Sequence, residues 1–288
     1  LLLLLVLVGC STIDREASTP TPTWFFTGPT TAPTRRPLDA RPTDSAFQFG
    51  QGIGQNNLTA AALPADSEMP PIVVEQITPG VSIVQISLSD GGLVFGALYE
   101  NPPLEIEGRR IPARLPGVLL IGASVDAWGG FPEQLGSRGY TVLVVDLGNN
   151  TFLEDFQDIF GAFIGTGTVN PAQMSVIGAG MGADLALIGC AAESGCDAVV
   201  LLSPQEEGTL LNVLASYNPR AVFAAASSTD RPAYDVAQAV YNASTSAESE
   251  VALLINVGSG AAMLQNAEAL ADDLITWLDA IMAAQPFD

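Results

Sequence analysis

The residues Ile177-Gly178-Ala179-Gly180-Met181-Gly182-Ala183 lie between an apolar run and a helix-like stretch. They read as a strand, a sharp turn and the first turn of a helix. A strand-to-helix turn of this kind can hold a nucleophile up to a substrate, and the residue at its tip is Gly180, which has no side chain. The chain contains no histidine. Its ten basic residues are all arginines, so no lysine amine is available either. A serine attacks only if a base takes its proton and later returns it to the leaving group. Aspartate or glutamate could fill that role only with a strongly raised pKa. Covalent and Schiff-base chemistry therefore has few candidates in this sequence.

Two other chemistries can be weighed from spacing alone. Gly178-Ala179-Gly180-Met181-Gly182-Ala183 fits G-x-G-x-x-A, a dinucleotide pattern in which Gly178, Gly180 and Ala183 would bring backbone close to a pyrophosphate. That pattern also needs an acid at the tip of the next strand. Here the strand ends Leu202-Ser203-Pro204, and Glu206 and Glu207 lie beyond it. Several strands precede the pattern, which usually opens a nucleotide domain. No metal or cofactor site is expected, because two thiols without histidine make a poor ligand set.

The elements around the turn follow from hydropathy. Val81 to Ser89 alternates apolar and polar residues, Asp90-Gly91-Gly92 is a turn, and Leu93 to Tyr99 returns, which predicts a β-hairpin. Apolar runs follow at 117–121, 141–145, 175–178, 198–202, 221–226 and 251–257, as expected of parallel strands buried on both faces. Helix-like stretches near 131–138, 152–163, 181–192, 209–216, 233–242 and 263–283 alternate with them. The fold class predicted is α/β, a mostly parallel, doubly wound sheet with an N-terminal hairpin. Only a short segment separates Pro204 from Arg220, so no cap domain is expected and any cleft is open.

The first ten residues, LLLLLVLVGC, are too few to span a bilayer but suit the apolar core of an export signal. With neither an initiator methionine nor a basic leading segment, they read as part of a signal peptide whose first residues are missing. Leu7-Val8-Gly9-Cys10 is similar to a bacterial lipobox, which implies cleavage before Cys10 and a lipid on its sulfur. The predicted organisation is therefore a partial lipoprotein signal at 1–9, a lipid-anchored Thr/Pro-rich tether at 10–75 and a folded domain at 76–288. The expected location is the extracytoplasmic face of a cell membrane, with the Cys10 lipid as the membrane contact. Within the tether, Trp24-Phe25-Phe26 is an apolar island that could dock on the domain or touch the membrane. The remaining cysteines, Cys190 and Cys196, form an even pair in an exported protein, and a disulfide is expected. A net charge of −21 argues against nucleic acid and anionic lipid as partners, and is otherwise a solvated acidic surface.

The order of elements and several placed motifs resemble the α/β-hydrolase fold over residues 80–285. Leu119-Leu120-Ile121-Gly122 stands where that family usually reads His-Gly. Asn170-Pro171 leads into the elbow strand, Asp230 falls at the position of the triad acid, and Gly258-Ser259-Gly260 falls where a His-Gly pair usually follows the last strand. The family elbow reads G-x-S-x-G. Here both flanking glycines remain, Gly180 replaces the nucleophile, and Ser259 occupies the histidine position. The resemblance implies an oxyanion-type pair of backbone amides at Met181 and Ala123, with Ser124 and Asp126 in the same loop. Such a pair could hold an anion or carbonyl without turning it over. The predicted function is binding, or a structural role at the cell surface, by a catalytically degenerate member. The alternatives are a serine hydrolase or esterase using non-standard residues, and the dinucleotide reading. The ligand or protein partner is not legible.

Overall fold

The computed structural model describes residues 72–283, apart from 102–103, 107–108, 112–113 and 149–151. The expected signal, Cys10, and most of the tether lie outside the described residues. The main sheet has nine strands in the order β1-β2-β3-β7-β6-β8-β9-β10-β11. Its members are β1 (Ile72–Thr78), β2 (Val81–Ser87), β3 (Leu93–Tyr99), β6 (Leu115–Ile121), β7 (Thr141–Asp146), β8 (Val169–Ala179), β9 (Cys196–Leu202), β10 (Ala221–Ser227) and β11 (Glu250–Leu254). β1, β2 and β3 form an antiparallel meander, and β3 joins β7 antiparallel. All pairings from β7 through β11 are parallel.

The predicted hairpin corresponds to β2 and β3, closed by Leu88 and Gly92 backbone bonds. Strand β1 was not expected. It begins at Ile72, four residues before the domain start read at 76, and is exposed along most of its length, so its buried-face signal is weak. The Pro-rich stretch after β3 holds a two-stranded ladder of β4 (Leu104–Ile106) and β5 (Arg109–Ile111).

Alternation along the central strands divides the core in two. Leu119, Leu143, Val176 and Val199 face one cluster, and Val118, Val142, Ile177 and Val200 face the other. The first cluster receives α2 (Leu153–Gly165), α3 (Met181–Ala192) and α4 (Glu207–Tyr217), with α5 (Arg231–Ala243) continuing beside it. The second receives α1 (Phe131–Ser137), α6 (Ala262–Asn266) and α7 (Glu268–Ala283). Both faces of each central strand are thus removed from water, the condition that produces unbroken apolar runs.

Two predicted elements differ in the structure. The stretch 263–283 is two helices, broken at Ala267, where φ −137° and ψ 83° leave the helical region. No glycine or proline marks the break. The adjoining Asn266 Nδ2 donates to the Val257 carbonyl at 3.0 Å, a tertiary contact that holds α6 to the preceding loop. The last strand stops at Leu254 instead of running to 257, because Asn256 takes a left-handed φ of 54°.

Cys190 on α3 and Cys196 at the start of β9 are joined by a disulfide, with Cα atoms 5.2 Å apart. The Arg220 guanidinium donates to the Cys196 and Glu193 carbonyls, each at 2.8 Å, and fastens the same loop. We predict that alkylation without reductant leaves both thiols unlabelled in intact-mass analysis. Replacing both cysteines by serine should lower stability by about 2 kcal/mol in urea unfolding, the chain-entropy value for so short a loop. Two alkylated thiols in the native protein would contradict the bond.

Candidate functional site

The chain leaves β6 for β7 in one direction along the sheet and runs from β8 to β11 in the other. The switch point therefore lies between the carboxyl ends of β6 and β8, where open α/β sheets build their crevices. A cavity of about 270 Å³ opens there. Gly122, Ala123, Gly180, Ser203, Asp230 and Ser259 are among the residues that line it.

Gly180 forms the sharp turn between β8 and α3, with φ 60° and ψ −125°. Its N–H donates to the Leu202 carbonyl at 2.8 Å, and its carbonyl accepts from the Ala183 N–H at 3.0 Å. The backbone conformation is one that side-chain-bearing residues enter only at a cost of about 1–3 kcal/mol. The surrounding space nevertheless accommodates a side chain. A Cβ built on Gly180 meets nothing nearer than Gln205 Nε2 at 3.8 Å.

The neighbouring glycines are of another kind. A Cβ on Gly178 would overlap the Gly182 and Ala183 backbone, and one on Gly182 would stand 2.7 Å from the Ile121 carbonyl oxygen. A Cβ on Gly122 would come within 2.6 Å of Gly182 Cα. Three backbones meet with no room for a methyl group, and this contact seats the start of α3 against the ends of β6 and β8. Gly178 and Ala183, offered above as a dinucleotide pattern, are occupied by that packing. Glu206 and Glu207 lie at the start of α4 instead of at the tip of β9.

The positions predicted as degenerate converge. Asp230 follows β10, Ser259 follows β11, and both border the cavity with Gly180 and Ala123. The Asp230 carboxylate makes no hydrogen bond among the described residues, and does not cap α5. Ser259 is exposed on a loop turned by Asn256, Gly258 and Gly260, all at positive φ. Met181 begins α3 with its side chain exposed, beside the elbow. Ser124 and Asp126 are exposed on the 3-10 turn Val125–Trp128 and its leading edge, and are not among the residues lining the cavity.

Gln205 and Ser203 complete the lining. Ser203 is buried at φ 58°, and its Oγ accepts from the Gly260 N–H at 2.9 Å and lies 3.9 Å from Met263 Sδ. That hydroxyl ties the β9 and β11 loops together. Gln205 was not singled out from the sequence, although its place just past a strand's carboxyl end was the available signal. Its backbone N–H donates to Asp184 Oδ1 at 2.9 Å. Burial pushes the Asp184 carboxyl above its ordinary pKa, opposed by hydrogen bonds from the Gln205 and Glu206 backbone. Asp184 thereby positions the loop beside the elbow. Among the described residues, no three His, Cys, Asp or Glu side chains converge as metal ligands.

Comparison with solved structures accords with this geometry. The chain is similar to the esterase domain of a Rhodothermus marinus protein, with 15% identity and a TM-score of 0.55 over 70% of this chain and 99% of that one. An α/β hydrolase of Penicillium sp. sh18 aligns at 13% identity and TM-score 0.56, covering 70% of this chain and 99% of its own. The dienelactone hydrolase of Anabaena variabilis aligns at 14% identity and TM-score 0.53, covering 75% and 100%. The chain has the α/β-hydrolase fold. No family model matches the sequence, and no match is found among curated proteins.

The glycine geometry generates a graded prediction. Gly178→Ala forces a methyl into backbone that cannot yield, and should cost more than about 3 kcal/mol or prevent folding. Gly180→Ala has space and meets only the backbone strain, about 1–2 kcal/mol. Urea denaturation of the two variants checks the order, and an equal or reversed ranking would refute this account of the elbow.

Proposed function

We propose that this chain is a non-catalytic binding protein built on the α/β-hydrolase fold, held at the outer face of a membrane through a lipid on Cys10. The observation that carries the binding reading is Gly180, a turn with the geometry and space for a nucleophile and no side chain to act as one. The complete lack of histidine and lysine supports it from the sequence. The crevice offers a ligand small apolar residues, hydrogen-bonding groups and one carboxylate, Asp230. The start of α3 presents amides with a partial positive dipole, and Ser259 and Gln205 add hydrogen-bonding groups. A small molecule bearing a carbonyl suits that set, with Met181 and Ala123 N–H as its donors. Support for the membrane part is the sequence Leu7-Val8-Gly9-Cys10 and the Thr/Pro-rich segment after it.

A second reading, an esterase with non-standard residues, is favoured by one observation: Ser203, Ser259 and Asp230 share the cavity. Fluorophosphonate labelling separates the two. No labelling and no hydrolysis of simple esters above background are expected. Stoichiometric labelling of Ser203, Ser259 or Ser124 would establish the second reading. Gly180→Ser alone should stay inactive for want of a base, whereas Gly180→Ser with Ser259→His should show weak esterase activity, since Asp230 can orient the new imidazole. Activity in the single variant would mean that another base serves the elbow. For the anchor, Cys10→Ala should release the chain from the membrane fraction or leave it unprocessed. Unchanged fractionation and processing would reject lipidation.

A further inference from the structure

A larger cavity, of about 600 Å³, lies at the opposite end of the sheet, between the amino ends of β9, β10 and β11 and helix α7. Its wall is apolar, with Pro219, Trp277 and Ile281, and its rim carries Asp197, Glu250 and Asp273. Glu248 adds a fourth carboxylate. Among the described residues, none of the four is in an ion pair. Arg220, the one cation lining the groove, lies near Asp197 and favours its charged form, which leaves Glu248, Glu250 and Asp273 without a cation among the described residues. Its guanidinium lies 4.2 Å from the centre of the Tyr217 ring and donates to three backbone carbonyls. Burial raises the Glu250 carboxyl above its usual range, and the nearby Asp273 charge adds to the rise. Burial likewise raises Asp273, with Asp272 adding repulsion. The groove thus combines an apolar surface with uncompensated negative charge, and a cation with an apolar neighbour would relieve both.

The chain itself carries such a segment. Between Glu16 and Asp39 there is no acidic residue, and the only charges are Arg35 and Arg36, in Pro33-Thr34-Arg35-Arg36-Pro37-Leu38. We propose that this segment docks in the groove of its own domain, its guanidinium groups on the rim carboxylates and its Pro and Leu residues on the apolar wall. The reach is suitable. A flexible chain as long as the connection from Arg36 to Ile72, some 36 residues, would have an r.m.s. span of roughly 30–36 Å. Seven strand spacings, about 34 Å, separate β1 from β10 in the middle of the groove, and Ile72 lies at the Asp146 end of the sheet, so a strand length of about 20 Å adds to give a span of roughly 40 Å. A connection whose r.m.s. length lies near the span keeps the effective concentration high, so weak contacts suffice. The two prolines restrict the free segment and reduce the ordering cost of docking.

Tryptic cleavage after Arg35 of the full chain tests the proposal, with cleavage after Arg15 as the internal reference. In Glu250→Gln/Asp273→Asn, cleavage after Arg35 should quicken by about tenfold while that after Arg15 is unchanged, because cleavage follows the undocked population. A second measurement leaves the groove intact. In Arg35→Gln/Arg36→Gln, amide exchange in residues 246–250 should quicken relative to the native chain. Unchanged cleavage at Arg35 in a folded groove variant, or unchanged exchange in the arginine variant, would overturn the proposal. So would protection that appears only as protein concentration rises, which would assign the groove to a second copy.

Discussion

The structure depends on one contact without side chains. At Gly122, Gly178 and Gly182, the loop after β6, the end of β8 and the first turn of α3 approach until their backbones touch. A single Cβ at any of the three would separate the helix from the sheet. With that contact made, α3 starts directly at the carboxyl end of the central strand β8 and the turn at Gly180 must be sharp, which explains its φ of 60°. The same closeness brings the Ala123 loop beside the elbow and creates the crevice. The packing would be required whether or not any chemistry took place there.

That separation of packing from chemistry explains how the crevice keeps its shape with no side chain at position 180. The fold keeps what its stability needs. The close glycines, the buried Asp184 that accepts the Gln205 N–H, and the Ser203 hydroxyl that holds the Gly260 N–H all serve loop positions. The groups an acyl transfer would need contribute nothing to stability. A nucleophile at 180 would add backbone strain, and an imidazole at 259 would sit on an exposed loop with few packing contacts. The fold needs neither group, so the scaffold and acyl-transfer chemistry are physically separable.

The two ends of the sheet differ in character for a related reason. At the carboxyl ends, the start of α3 lies beside the crevice, and the positive end of its dipole favours electronegative groups there. At the amino ends, Asp197 is the second residue of β9 and Glu250 the first of β11, and both line one groove with Asp273 of α7. A chain with 31 acidic and ten basic residues cannot pair every carboxylate, and several of those without an ion pair border this groove. Charge imbalance in the composition thus becomes a local feature of one surface.

Hydropathy runs determined the parallel strands, because a strand buried on both faces must be apolar throughout. The alternation of strands with amphipathic stretches determined the fold class, and the missing histidine and lysine determined which chemistry was closed. The resemblance to the α/β-hydrolase motif order marked Gly180, Asp230 and Ser259, which the tertiary structure brings to one crevice. Other features were illegible for definite reasons. Strand β1 is exposed along most of its length, so its sequence carries no buried-face signal. The break at Ala267 has neither glycine nor proline, and lies beside the bond from Asn266 to Val257 across the chain. Gln205 has no motif, and its place at the elbow depends on Asp184, 21 residues earlier. Spacing placed Gly180 at the tip of the turn between Gly178 and Gly182 but gave no sign of how differently the three are packed. All four glycines of the elbow region look alike in sequence, and only the tertiary structure shows that three are pressed between backbones while one stands beside open space.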